Sequence, residues 1–136
     1  MNILFDLDGT LVDPKAGIVA SIRYGLERLG HTPPPADELA WVIGPPLRQA
    51  FPMLGVAAND VEKAVGYYRE HYRNGAMYEA QVYAGIPEAL DLLLSAGHRL
   101  FIATAKPHVF AGPILQHFKL ARRFIGIYGP ELDGTR

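Results

Sequence analysis

The short apolar run Asn2-Ile3-Leu4-Phe5 ends at a charge, and Asp6-Leu7-Asp8-Gly9-Thr10 follows it. Such a run reads as a fully buried strand of a parallel sheet. In an open α/β sheet, ligands collect beyond the carboxyl ends of the strands. Two carboxylates placed there are costly unless they are paired, hydrated or bound to a cation. Oxygen ligands of this kind suit a hard ion such as Mg²⁺. Gly9 permits a tight turn, and Thr10 can hydrogen-bond inside it. The alternative for Asp6 and Asp8 is a pair of turn and helix-capping carboxylates after a strand.

The pattern downstream is helical for a long stretch. Asp13-Pro14 predicts a helix start, with Asp as N-cap and Pro at the first helical position. Ile18, Ile22, Leu26 and Leu29 follow at helical spacing, and Gly30 stops the helix. Pro33-Pro34-Pro35 is a stiff break, and short helices are expected around 37–42 and, despite Pro52, 47–54. Asn59 and Glu62 predict a capping box, ahead of a stripe of Val61, Val65, Tyr68 and Tyr72. From Tyr83 the pattern changes. Gly85-Ile86-Pro87 opens a helix carrying Ala89, Leu90, Leu93 and Leu94, and Arg99–Ala103 is a second buried strand. Pro107 opens a helix with Phe110, Ile114 and Leu115 on one face, and Phe124–Tyr128 is a third strand. Strands and helices alternating over short connections predict an α/β fold. Its Rossmann-like parallel core comprises residues 1–13 and 81–136, with an α-helical insert at 14–80.

Composition narrows the function classes. With 136 residues, 49% hydrophobic and 20% charged, the chain is globular rather than disordered. No apolar run is long enough to span a membrane, and no basic-then-apolar leader opens the chain. The absence of cysteine excludes disulfides, thiolate metal sites and cysteine nucleophiles, and fits a reducing cytoplasm. Residues 1–98 carry seven basic and twelve acidic side chains, and residues 99–136 carry six and two. This reads either as local surface bias or as an anionic ligand held near the tail. No basic run with interleaved aromatics points to nucleic acid. The five histidines show no metal-ligand spacing.

An apolar strand followed by Asp-x-Asp-Gly-Thr resembles the first motif of the haloacid dehalogenase superfamily of phosphotransferases. Leu11-Val12-Asp13, Gly44-Pro45-Pro46-Leu47, Tyr68-Arg69 with Tyr72, and Tyr83-Ala84-Gly85-Ile86 resemble its phosphoglycolate-phosphatase-like branch. Thr104, ending the second strand, stands where the family has its second motif. The resemblance implies that Asp6 is the nucleophile, forming an aspartyl-phosphate. It implies that Asp8 protonates the leaving oxygen and then helps activate water. Mg²⁺ would be held at Asp6 and Asp8, the latter through its backbone carbonyl. Gly9, Thr10, Thr104, Ala105 and Lys106 would surround the phosphoryl group, aided by the helix N-terminus near Pro107. The helical insert would be a cap that closes over the site, excludes water and selects the leaving group. Two readings stay open for Lys106, a phosphate contact or an exposed lysine. Two stay open for Arg48, a contact to a substrate anion or a solvated arginine.

The family also has a third motif, a lysine, and a fourth, an acidic pair after a further strand. Both normally lie downstream of a loop like Gly129–Arg136, where this sequence stops. The core is therefore expected to be incomplete, with Asn2–Phe5 an edge apolar on both faces. A piece of a longer protein is the first explanation. A shorter chain whose edge another copy covers is the second, and a site in which Lys106 replaces the missing lysine is the third. The expected activity is Mg²⁺-dependent hydrolysis of a small phosphomonoester, phosphoglycolate-like or a nucleotide, in the cytoplasm. Turnover by these residues alone is expected to be weak or absent. The expected partner is a small phosphorylated metabolite, not nucleic acid or membrane, and the expected state is monomer or homodimer. Alternatives are a phosphomutase of the β-phosphoglucomutase type, or a non-catalytic remnant associating through its open sheet edge.

Overall fold

The computed structural model describes residues 1–135. In chain order the elements are β1 (Asn2–Phe5), β2 (Val12–Asp13), α1 (Lys15–Arg28), α2 (Leu47–Met53), α3 (Val61–Arg73), β3 (Gln81–Val82), α4 (Ile86–Ser95), β4 (Arg99–Ala103), α5 (His108–His117) and β5 (Gly126–Tyr128). Short 3-10 turns lie between them at Ala36–Glu38, Ala40–Ile43, Ala58–Asp60, Ala76–Tyr78 and Ala121–Arg123. The chain divides into two units, Met1–Asp13 with Gln81–Arg136, and Pro14–Ala80.

The first unit holds a parallel sheet in the order β1-β4-β5. Central β4 is apolar and has a neighbour on each side, and its Leu100 and Ile102 are wholly buried. β1 differs from the fully buried strand its composition predicts. It is the edge strand expected of an incomplete core, and Leu4 is 63% exposed. β5 starts at Gly126 rather than Phe124, because Ala121–Arg123 turn first and pairing with β4 begins at Phe101↔Gly126. Of the apolar stripe predicted on α4, only Leu90 is fully buried, because a three-stranded sheet offers the helix a narrow face. A two-residue antiparallel ribbon, β2 with β3, joins the two places where the chain leaves and re-enters this unit.

The second unit is all helix and turn. The predicted stripe is present: Ile18, Ile22 and Leu26 of α1 and Val61, Val65, Tyr68 and Tyr72 of α3 are buried. Buried Ser21 is satisfied by His71 Nδ1 at 3.0 Å. Two expected caps are absent. Pro14 occupies the N-cap of α1, and Asp13 pairs in β2 instead. Asn59 lies in a 3-10 turn, and Glu62 does not reach back to cap α3. Its carboxylate takes Arg48 in a two-pronged ion pair, which outcompetes a carboxylate–amide bond.

Candidate active site

β1 and β4 run parallel in register, Phe5 beside Ile102. Asp6 and Thr104 therefore leave neighbouring strands at the same end of the sheet, where an α/β fold presents its ligand loops. After β1 the chain winds around one carbonyl. The amides of Thr10, Leu11 and Val12 all donate to Leu7 O, at 3.2, 2.9 and 3.2 Å. Gly9 takes the positive φ (+80°) this winding requires and donates to Val12 O at 2.8 Å. Leu7 and Leu11 are fully buried and anchor the loop, which leaves Asp6, Gly9 and Thr10 exposed. The amides of Gly9 and Thr10 are spent inside the loop, so Thr10 presents its hydroxyl. Asp6 Oδ1 accepts the amide of Leu7 at 2.8 Å, which fixes the carboxylate's orientation.

Asp8 stands in different surroundings. Its Oδ2 lies 3.0 Å from Lys106 Nζ, with side-chain exposures of 21% and 7% for the two residues. Its Oδ1 is buried and has no hydrogen-bond partner. Burial pushes the Asp8 carboxyl above the ordinary aspartate range. The charge and hydrogen bond of Lys106 pull it back, and the Asp6 charge pushes it up again. Two neighbouring acids in unlike surroundings, one exposed and one desolvated, form the pattern that separates a nucleophile from a proton donor.

Across the sheet end, Thr104 Oγ1 accepts the amide of Lys106 at 3.0 Å, and the amide of Thr104 donates to Tyr128 O. That leaves the threonine hydroxyl proton to donate elsewhere. Ala105 is exposed between them. Lys106 is not the exposed lysine of the second sequence reading. The first amide of α5, His108, donates to Pro130 O, and His108 Nε2 and Glu131 Oε1 lie 2.9 Å apart. Gly129 makes this approach possible, since a Cβ there would fall 2.5 Å from Lys106 O. The roles of Gly129, His108 and the Asp8–Lys106 pair escape sequence reasoning. Their one signal is that Lys106 follows Thr104 at the same interval at which Asp8 follows Asp6. Arg48 lies in the helical unit, its guanidinium held by Glu62 at 2.6 and 3.2 Å.

Among the described residues no group of three or more His, Cys, Asp or Glu side chains gathers to hold a metal. Mg²⁺ asks for less, because it keeps several waters and takes one or two carboxylates plus phosphate oxygens. The exposed Asp6 carboxylate, oriented by the Leu7 amide, is a hard oxygen donor of the right kind, and the Asp8 backbone carbonyl is a second.

The family model described as haloacid dehalogenase-like hydrolase matches residues 3–132. The chain belongs to the haloacid dehalogenase-like hydrolases. A relative from Pseudomonas aeruginosa named 5'-nucleotidase is 50% identical over 136 residues, covering 99% of this chain and 62% of the relative. An Agrobacterium fabrum relative named phosphoglycolate phosphatase is 34% identical over 130 residues, covering 91% and 56%. The solved structure of Mycobacterium tuberculosis protein tyrosine kinase A aligns with a TM-score of 0.87 at 36% identity, covering 99% of this chain and 62% of that one. The chain thus spans about three fifths of the length of such relatives. These relatives carry names of different activities, so likeness to them does not by itself name a substrate. No helix among the described residues is long and apolar enough to cross a membrane.

Proposed function

We propose that this protein is a Mg²⁺-dependent phosphatase of small phosphomonoesters that works through an aspartyl-phosphate on Asp6. The observation that carries the reading is the pairing of an exposed, amide-oriented Asp6 with a desolvated Asp8, at the end of the sheet where Thr104 also emerges. An oxygen of Asp6 attacks phosphorus, the ester P–O bond breaks, and Asp8 gives its proton to the departing oxygen. Water then attacks phosphorus while Asp8 takes a proton from it, the P–O bond to Asp6 breaks, and phosphate leaves. Thr104 and Thr10 donate hydroxyl protons to phosphoryl oxygens. Asp6 and the Asp8 backbone carbonyl would hold Mg²⁺, which when bound offsets the negative charge that Asp6 and the phosphate share.

The names of two relatives, 5'-nucleotidase and phosphoglycolate phosphatase, support a nucleoside monophosphate or phosphoglycolate as substrate. The absence of cysteine supports a cytoplasmic setting. The test is hydrolysis of p-nitrophenyl phosphate. Slow release of nitrophenolate in Mg²⁺ is expected, falling to background in EDTA and in Asp6→Asn. Turnover that survives Asp6→Asn removes the nucleophile assignment, and turnover that EDTA leaves unchanged removes the Mg²⁺ dependence.

A further inference from the structure

Lys106 is held from three sides. Its amide is taken by Thr104 Oγ1 at 3.0 Å, its carbonyl is closely approached at Gly129, and its ammonium lies 3.0 Å from Asp8 Oδ2. A lysine that binds substrate phosphate as a point charge must present its ammonium to the phosphate. This side chain is 7% exposed and is directed at a carboxylate. From this geometry we infer that Lys106 is a positioning residue for Asp8, gripping Oδ2 and setting the direction of the carboxylate, and is not a ligand of the phosphoryl group. A proton on Oδ2 would point at the ammonium, a group that only donates. Oδ1, buried and without a partner, is then the oxygen through which Asp8 gives and takes its proton. The inference rests on the phosphatase reading for its chemistry and on the Asp8–Lys106 contact for its geometry.

Two measurements separate it from its rivals and from the parent reading. The first needs no activity. With the four lysines labelled at Nζ with ¹⁵N, the wild type should show a solvent-protected ammonium signal that disappears in Asp8→Asn and Lys106→Met and persists in Asp6→Asn. Circular dichroism checks that each variant is folded. A missing signal, or one that survives Asp8→Asn, overturns the inference. The second uses the leaving group. Nitrophenolate departs with little help, whereas an alkoxide needs the proton from Asp8. In Lys106→Met, kcat/KM for 2-phosphoglycolate or a nucleoside monophosphate should fall by about tenfold or more, and for p-nitrophenyl phosphate by less than about threefold. The Kd of inorganic phosphate with Mg²⁺ should stay within about twofold, and Lys106→Arg should recover part of the loss. Equal losses on both esters, or phosphate binding weakened about tenfold, overturn the inference and make Lys106 a phosphate contact. If Asp6→Asn keeps the wild-type turnover, the phosphatase reading fails separately, and the ammonium signal alone decides whether Lys106 holds Asp8.

Discussion

In the helical unit, Ile22, Leu39 and Phe51 are sealed from solvent, and the large apolar side chain most open to water is Met53. In the sheet unit, Leu4, Leu92, Ile125 and Tyr128 stand 63, 72, 59 and 61% exposed. The difference follows from how each element satisfies itself. A helix closes its backbone hydrogen bonds internally and needs cover along one stripe. A strand needs a neighbour on each side and cover on both faces, and β1 has one neighbour. The polar groups of the candidate site stand on this less enclosed unit, at the loop ends of β1 and β4. The helical unit carries instead a self-contained core, with Arg48 occupied by a carboxylate of its own helices.

The largest effect on stability is expected at Gly17, where α1 closely approaches the 76–79 turn. Its amide donates to Glu79 O at 3.0 Å, and a Cβ there would lie 1.9 Å from Ala76 O. Gly17→Ala gains helix propensity of about 1 kcal/mol. It also forces α1 away from the 76–79 turn, and this overpacking should dominate, for a net loss of about 2 kcal/mol or more in urea unfolding. A neutral result would mean that the helical unit is loose, and would remove the contrast with the sheet unit.

Residues that act through local pattern were legible in the sequence. The Asp6-Leu7-Asp8-Gly9-Thr10 turn, Thr104 just past the end of β4, and the Val61, Val65, Tyr68 and Tyr72 stripe are all stated by spacing alone. What the pattern missed depends on distant partners. Glu62 has the position of a capping residue, but Arg48 from another helix claims it. Lys106 meets Asp8 through the parallel pairing of β1 with β4, a contact that no local window contains. The β2–β3 ribbon is two residues per strand, too short for any period to be read. Apolar composition alone suggests a buried Leu4 and a covered α4; the open edge at β1 follows only from the absence of the later strands.

A smaller effect tests the charged loop of the sheet unit. Because burial raises the Asp8 carboxyl above its unfolded value of 3.8, the folded protein keeps this proton over a pH range where the unfolded chain has lost it. Unfolding then releases a proton, so the contribution of Asp8 to stability falls as pH rises from 3.8 through that range and is constant beyond it. Asp91 and Glu62, lowered by their arginines, contribute the opposite slope. The difference between wild type and Asp8→Asn isolates Asp8. Urea midpoints measured from pH 3 to pH 7 should converge at the acid end and separate above it, with the variant relatively more stable. Separation of the opposite sign would mean that Lys106 outweighs burial at this carboxylate.

The smallest effect is expected at Leu4, and it probes the openness of the sheet unit directly. Leu4 lies on edge strand β1 at 63% exposure, so replacing it with lysine removes little buried apolar area. Lysine on an open edge also disfavours strand pairing between molecules. Leu4→Lys should therefore change unfolding free energy by less than about 0.5 kcal/mol, while reducing any concentration-dependent association seen by sedimentation. A loss of about 2 kcal/mol or more is what truncating or charging a buried leucine costs. Such a result would show that Leu4 is covered in solution, and the exposed face of β1 would then be an interface rather than a free surface.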